Sequence, residues 1–167
     1  MRVDRASRFV AASPDAVYRA FVDPALLVAW LPPAGMTGHL ERFDAMSGYR
    51  MRLAYGEPPT GGGKASADED VTEVRRVEVV PGERVVEAVD FPSDDEAYSG
   101  TMTMRWTLEP VPGGTRVVVE AVDVPRGVSE EDHAAGLASS LENLGRLVVA
   151  AGKDGSRTAE GGAAAGG

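Results

Sequence analysis

The stretch TMTMRWTL, residues 101–108, decides the fold class of this 167-residue chain. Its residues alternate strictly, with Met102, Met104, Trp106 and Leu108 on one side and Thr101, Thr103, Arg105 and Thr107 on the other. Alternation with a period of two is typical of a β-strand that buries one face. A sheet with a single apolar face needs a covering layer, which the rest of the chain must supply.

Further strands are predicted on both sides of this stretch. Met51 and Leu53 alternate with arginines, and the segment after residue 114 repeats the pattern with Val117, Val119 and Ala121. Short connections rich in Gly and Pro separate these runs, which indicates an antiparallel meander. The predicted strands are residues 6–12, 39–44, 49–55, 71–80, 84–91, 101–109 and 115–124.

Two short helices are predicted between the first two strands. Ser13-Pro14 and Asp23-Pro24 each place a capping side chain before a proline at the first helical position. After the last strand, SEEDHAAGLASSLENLGRLVV, residues 129–149, predicts a long helix from about residue 130 to 150. This helix is the one predicted element large enough to cover the sheet.

One side of the long helix carries large apolar side chains, and the neighbouring side carries small or polar ones. The apolar stripe has the helical period and comprises Leu137, Leu141, Leu144 and Val148, with His133 one turn before it. Beside the stripe lie Gly136, Ser140 and Asn143. Two explanations stay open here, a close contact between helix and sheet or a cavity beneath the helix.

Composition limits the classes of function. The formal net charge is −9 and the pI is about 4.7, which argues against nucleic-acid binding. No cysteine is present, so disulfides and thiol catalysis are excluded. Since neither a signal-type apolar segment nor a membrane-spanning stretch stands out, we expect a cytoplasmic protein without membrane insertion.

Residues 1–152 are predicted to form one domain. A domain of this length can bury a sufficient hydrophobic core without a metal or a disulfide. Residues 153–167 lack large apolar side chains and are predicted to be a disordered Gly/Ala-rich tail.

The chain resembles the START-like, or SRPBCC, superfamily, and within it the homologues of the C-terminal domain of the heat-shock-protein-90 ATPase activator. The resemblance spans about residues 3–150. It is carried by DPALLVAWLPPAGM (23–36), HLERFDAMSGYRM (39–51), VEVVPGERVV (77–86), GTMTMRWTLEPVPGGTRV (100–117) and EDHAAGLASSLENL (131–144).

The resemblance implies an α+β helix-grip fold. In that fold a curved antiparallel sheet of about seven strands and two short helices accompany a long C-terminal helix, which lies over an apolar cavity. By this resemblance the cavity would be lined by Trp30, Met51, Leu53, Met102, Met104, Trp106, Leu137 and Leu141. Each of these residues could equally be ordinary core.

Two titratable residues are further candidates for the site. Glu87 shares a strand side with Val85 and Val89, so it is either a carboxylate in an apolar wall or, in the opposite phase, exposed. An inward Glu87 would have a raised pKa unless an arginine pairs with it. His133 is interpreted as a ligand contact or rim residue, with catalysis and a purely structural role as alternatives.

The leading interpretation is a binding protein for a small hydrophobic molecule, with no cofactor and no metal site. One alternative is a co-chaperone-like regulator of a heat-shock-protein ATPase, whose partner would be a chaperone protein. The other is a cyclase or dehydratase that uses His133 or Glu87.

Overall fold

The computed structural model describes residues 2–55 and 69–165. A seven-stranded antiparallel sheet has the order β1-β7-β6-β5-β4-β3-β2. The strands are β1 (Val3–Val10), β2 (Met36–Asp44), β3 (Gly48–Tyr55), β4 (Glu69–Val80), β5 (Arg84–Asp90), β6 (Thr101–Val111) and β7 (Gly114–Val122). The helices are α1 (Pro14–Val22), α2 (Pro24–Trp30) and α3 (Glu130–Ala165). The predicted α+β helix-grip architecture is therefore confirmed.

The two short helices begin where the sequence predicts. Ser13 Oγ accepts a hydrogen bond from Ala16 N at 3.2 Å, and Asp23 Oδ1 accepts one from Ala25 N at 2.9 Å. These side chains satisfy backbone donors that the first helical turn leaves free. The two caps turn the chain twice between β1 and β2 and so bring α1 and α2 under the sheet.

One face of the sheet, here called the inner face, carries the core. Most apolar strand residues that share this face with Trp106 are buried or half-buried, and α1, α2 and α3 pack against them. On β6 and β7 the inner residues are those that alternation predicted, including Met102, Leu108 and Val117. The opposite, outer face of the sheet carries most of its arginines.

The long helix continues further than predicted. Apolar spacing indicates an end near residue 150, whereas α3 extends to Ala165. Backbone hydrogen bonds can continue a helix without an apolar stripe, so periodicity marks only the packed part. Residues 166 and 167 lie outside the described part of the chain, and the separate disordered tail at 153–167 stays a prediction. Within the described residues, no helix combines the length and apolar composition that a bilayer crossing requires.

Candidate functional site

The ten predicted site residues lie on the inner face or on the helices that cover it. Seven of them are buried, with at most 5% of their surface exposed: Trp30, Met51, Glu87, Met102, Trp106, Leu137 and Leu141. The other three, Leu53, Met104 and His133, are half-buried. The eight apolar residues of this set belong to, or pack against, one continuous hydrophobic cluster.

Three aromatic rings occupy the middle of this cluster. Phe21 of α1 contacts Trp30 and Trp106 edge to face, with ring centroids 5.0 and 5.3 Å apart, and the two tryptophans are 5.5 Å apart. The indole N–H of Trp30 donates to Ala20 O at 2.9 Å. Such edge contacts between aromatic rings stabilise a core beyond the area that they bury. The space between α2 and the sheet is therefore filled by aromatic side chains at this point.

Glu87 faces inward, which decides between the two strand phases that the sequence left open. Its side chain is 4% exposed, and Oε1 accepts a hydrogen bond from the Trp106 indole N–H at 3.1 Å. Oε2 accepts one from Arg76 Nε at 3.3 Å. Burial raises the pKa of Glu87, although Arg76 and Trp106 both favour the charged form. The carboxylate is thus held by two donors inside an apolar wall.

Arg76 is a site residue that the sequence reasoning missed. Its guanidinium is fully buried and also donates to Phe21 O and Ala45 O, each at 2.6 Å. The guanidinium carbon lies 5.7 Å from the Phe43 ring centroid and a similar distance from that of Tyr49. The sequence TEVRRVEVV (72–80) does contain a sign of an inward arginine. Successive residues of a strand point to opposite faces, so one of the two adjacent arginines must lie on the covered face of the sheet.

A second polar group joins the start of α3 to β1. His133 Nδ1 lies 2.6 Å from Asp4 Oδ2, and Asp4 accepts two hydrogen bonds from Arg2, at 2.8 and 3.2 Å. Arg2 also donates to Val128 O, just before the helix begins. The hydrogen bonds from Arg2 lower the pKa of Asp4, with a smaller contribution from His133. Sequence reasoning placed His133 inward but did not find its partners, which are far away in the chain.

The small and polar side chains of α3 pack against the end of α2. This differs from both explanations left open by the sequence, a close contact with the sheet and a cavity beneath the helix. Ser140 Oγ donates to Leu31 O at 2.7 Å, and Asn143 Nδ2 donates to Trp30 O at 3.3 Å and Pro32 O at 3.0 Å. These carbonyls belong to the end of α2, where backbone acceptors lack helical partners. The small and polar side chains therefore allow a close contact between two helices, rather than between helix and sheet.

Two pockets lie at the surface, outside this interior. One, of about 320 Å³, is lined by Ser7, Arg8, Phe9, Val111 and Arg116. The other, of about 860 Å³, is lined by residues 123–126 of the β7–α3 connection, by Arg2, and by Glu96, Ala97, Ser99, Gly100 and Thr101. Among the described residues, neither pocket is lined by any of the ten predicted side chains. Ligand binding by those ten residues stays a prediction.

In the described part of the chain, no three His, Asp or Glu side chains are grouped so that they could hold a metal ion.

Comparison with known proteins gives the same architecture. A structure from Chromobacterium violaceum is 32% identical, with a TM-score of 0.75, and the match covers 87% of this chain and 96% of that one. A protein from Silicibacter pomeroyi, named AHSA1, is 19% identical with a TM-score of 0.71, covering 89% and 98% of the two chains. A Mycobacterium smegmatis protein is 15% identical with a TM-score of 0.67, covering 89% and 92%. The last two likenesses show the fold alone.

No curated protein matches the chain. The family described as "Activator of Hsp90 ATPase homolog 1-like protein" matches residues 11–149, which include β2 to β7 and the packed part of α3. The resemblance to the START-like superfamily is thereby confirmed, and this chain belongs to the family of Activator of Hsp90 ATPase homolog 1-like proteins.

Proposed function

We propose that this protein binds a small apolar molecule between the inner face of the sheet and the N-terminal half of α3. The observation that supports the proposal is that some of the predicted site residues are fully buried while their apolar neighbours are partly exposed. Leu53 and Met104 are half-buried while they pack against the buried cluster, so apolar surface of the interior is accessible to solvent. Accessible apolar surface that continues into a core is a common feature of ligand sites.

The half-buried His133 supports a mainly apolar ligand with one polar group. Asp4 lies against Nδ1 of the ring, which leaves Nε2 as the nitrogen that a ligand could contact. Since the Asp4 carboxylate accepts the hydrogen on Nδ1, Nε2 of the neutral ring is an acceptor, and a ligand hydroxyl that donates a hydrogen bond would suit it. Met104 stands on the same row of the inner face as Asp4, with Ala121 between them, so the apolar and polar parts of the site are close.

Entry of a ligand requires some rearrangement of side chains, since the aromatic rings fill the centre of the cluster. Methionine accommodates such changes readily because its unbranched thioether has several rotatable bonds. Met51, Met102 and Met104 all lie on the inner face. Binding would stabilise the folded state and raise the unfolding temperature as the ligand concentration rises.

Native mass spectrometry of freshly purified protein, compared with the denatured sample, tests the proposal directly. A discrete additional mass that is lost on denaturation is the expected result. A titration with the neutral fluorescent probe N-phenyl-1-naphthylamine provides the quantitative test. Met104→Glu should weaken probe binding about tenfold or more, because it places a charge beside the apolar site.

Met46→Glu is the matched control, since Met46 is 58% exposed in the β2–β3 turn. It should leave probe affinity within about twofold of the unchanged protein. Equal effects of the two variants, or absence of both probe binding and a co-purified mass, would contradict the proposal.

A second candidate is a regulator of a chaperone ATPase, favoured by the family match over residues 11–149. It predicts that the purified protein changes the rate of ATP hydrolysis by an Hsp90-type chaperone at stoichiometric concentration. An unchanged rate across a tenfold excess would count against this candidate.

A further inference from the structure

β1 (Val3–Val10) lies at one edge of the sheet, and its free side is regular. It pairs with β7 over eight residues without a register shift. The opposite edge strand, β2, contains a bulge between Leu40 and Arg42. A bulge is one device that keeps an edge from pairing with a strand of another chain, and β1 lacks it. α3 packs against the inward side chains of β1, so the strand offers its free side to a further strand.

The free backbone groups of β1 belong to alternate residues. Asp123 N donates to Arg2 O at 3.0 Å, so the even-numbered residues of β1 form the hydrogen bonds to β7. The odd-numbered residues point their N–H and C=O groups toward the free edge and are all exposed: Val3, Arg5, Ser7 and Phe9. Within the described ranges, no other group forms a hydrogen bond to these backbone atoms. The edge is therefore a row of donors and acceptors without protein partners.

Two large apolar side chains are exposed on this strand. Val3 is 47% exposed and Phe9 is 53% exposed, and both point to the outer face. A surface pocket of about 320 Å³ lies beside Phe9, with Val111 in its lining. The two apolar side chains stand at opposite ends of the same edge. A second β1 strand that runs antiparallel would bring the two ends together.

The inner side of the same strand carries one negative and one positive side chain. Asp4 accepts hydrogen bonds from Arg2 and contacts His133, but its Oδ1 accepts only one of these bonds. Arg8 is exposed, and in the described part of the chain no carboxylate oxygen lies within 4.0 Å of its guanidinium. Charges that point inward at an edge oppose pairing with another strand, unless that strand brings the opposite charge to the same position.

One antiparallel register of β1 with a second copy of itself meets these conditions. It places Ala6 opposite Ala6, so that Val3 faces Phe9 on the outer side and Asp4 faces Arg8 on the inner side. Odd-numbered residues then face odd-numbered residues, and their free N–H and C=O groups can exchange hydrogen bonds. The two apolar pairs and the two opposite-charge pairs form in the same alignment.

Neighbouring registers lack this complementarity. A shift by two residues in one direction places Asp4 opposite Ala6 and Arg8 opposite Arg2, which are like charges. The shift in the other direction places Asp4 opposite Val10. A shift by one residue sets free backbone groups opposite groups that are already bonded to β7. The inward charges of β1 thus select one register.

We propose that β1 pairs antiparallel with β1 of a second copy of this chain, with Ala6 at the twofold axis. The two sheets continue through the dimer as one sheet. Arg8 of the second copy lies beside Asp4, where Oδ1 has room for another donor, and so joins the polar group around His133. Arg5 meets no like charge, because it stands opposite Glu120 in its own chain and opposite Ser7 of the second copy.

Light scattering after size exclusion, at loading concentrations from about 1 to 200 µM, tests the proposal on the full chain. We expect a mass that rises with concentration from the 17.5 kDa monomer toward twice that value. Phe9→Glu should raise the dimer Kd about tenfold or more, because it replaces an apolar pair by a charge. Val77→Glu is the matched control, since Val77 is 66% exposed on another strand. It should leave the Kd within about twofold.

A charge reversal tests the inner side of the interface. Arg8→Glu places a carboxylate opposite Asp4 of the second copy and should raise the dimer Kd about tenfold or more. Arg19→Glu, at an exposed position of α1, makes the same change in net charge. It should raise the Kd less than about threefold.

Cross-linking tests the register, because the chain has no cysteine and a single introduced thiol is unambiguous. Ala6 would face its copy in a pair without backbone hydrogen bonds, with Cα atoms about 4.5 Å apart, a distance that a disulfide spans. Ala6→Cys should therefore give a disulfide-linked dimer under mild oxidation. Ser7→Cys is the control, since its Cα would lie roughly 9 Å from its equivalent, too far for a disulfide.

The proposal is overturned by a monomeric mass at every concentration together with no cross-linking of Ala6→Cys. It is also overturned if Phe9→Glu and Val77→Glu change the Kd equally, or if neither Phe9→Glu nor Arg8→Glu changes it, because the interface then lies elsewhere. Faster cross-linking of Ser7→Cys than of Ala6→Cys would exclude the proposed register.

Discussion

Arg76 and Glu87 form an ion pair inside the apolar face of the sheet, with Arg76 Nε 3.3 Å from Glu87 Oε2 and both side chains almost fully buried. The guanidinium also holds the end of α1 and the β2–β3 turn through Phe21 O and Ala45 O. One side chain thus connects three parts of the fold, and the first prediction concerns its removal.

Arg76→Met should destabilise the protein by about 3 to 5 kcal/mol, because it leaves a buried carboxylate without its partner charge. Urea unfolding at neutral pH measures the change. The double variant Arg76→Met/Glu87→Leu should be about 1 to 3 kcal/mol more stable than Arg76→Met, since the unpaired carboxylate is gone. A double variant less stable than the single one would show that the pair is not the source of the cost.

Arg76→Met should also make stability more dependent on pH. Burial already raises the pKa of Glu87 above its ordinary value of 4.5, and loss of the arginine raises it further. A group whose pKa is higher in the folded state than in the unfolded state contributes to the free energy of unfolding. The contribution is fully present below the unfolded-state pKa and is lost as pH rises through the folded-state pKa. Unfolding free energy of Arg76→Met should therefore fall from about pH 4.5 upward more steeply than in the unchanged protein. Parallel pH profiles would contradict this.

Asp4→Asn should lower stability by about 1 to 2 kcal/mol at pH 6, because it weakens the hydrogen bonds that join β1 to the start of α3. The folded-state pKa of Asp4 is below the ordinary 3.8, so its contribution is present above that value and is lost as pH falls through the folded pKa. The difference between variant and unchanged protein should shrink below about pH 3.8. Thermal unfolding at several pH values measures it, and a difference that stays constant with pH would rule out the charged carboxylate as its origin.

Ser140→Ala and Asn143→Ala should each cost about 1 kcal/mol, because each leaves carbonyls at the end of α2 without a donor. Hydrogen exchange should increase in α2 in both variants if the bonds anchor that helix. Glu142→Ala, on the same helix with a more exposed side chain, is the control and should leave exchange in α2 unchanged. Faster exchange confined to α3 would argue against the anchoring role.

Gly48→Ala should be strongly destabilising, by roughly 3 kcal/mol or more, since an added Cβ would lie 2.0 Å from Val74 O. Gly48 also has a φ of +133°, which only glycine adopts readily. Gly100→Ala is the matched comparison, because its φ is +88° but the space around it is open. It should cost about 1 kcal/mol, as measured by urea unfolding, and similar costs for the two variants would exclude the steric explanation.

Much of the fold follows from local patterns. Alternation in β6 and β7 predicted their inner faces correctly, and the caps at Ser13 and Asp23 located both short helices. These features depend on neighbours within a few residues, which the sequence displays directly. Strand ends were less accurate: β1 begins at Val3 rather than residue 6, and β2 at Met36 rather than 39. Pairing with a neighbouring strand, more than composition, decides where a strand ends.

In the candidate site, too, some features follow from local sequence patterns and others depend on contacts between distant residues. That Met102, Trp106 and Leu141 face the interior was determined by the sequence itself, because period and position suffice for that inference. The phase of Glu87, its pairing with Arg76, and the contact of His133 with Asp4 were decided only by the tertiary structure. Each of these contacts joins residues that the register or the folding back of α3 brings together, and buried charges stay in place only when such distant partners satisfy them.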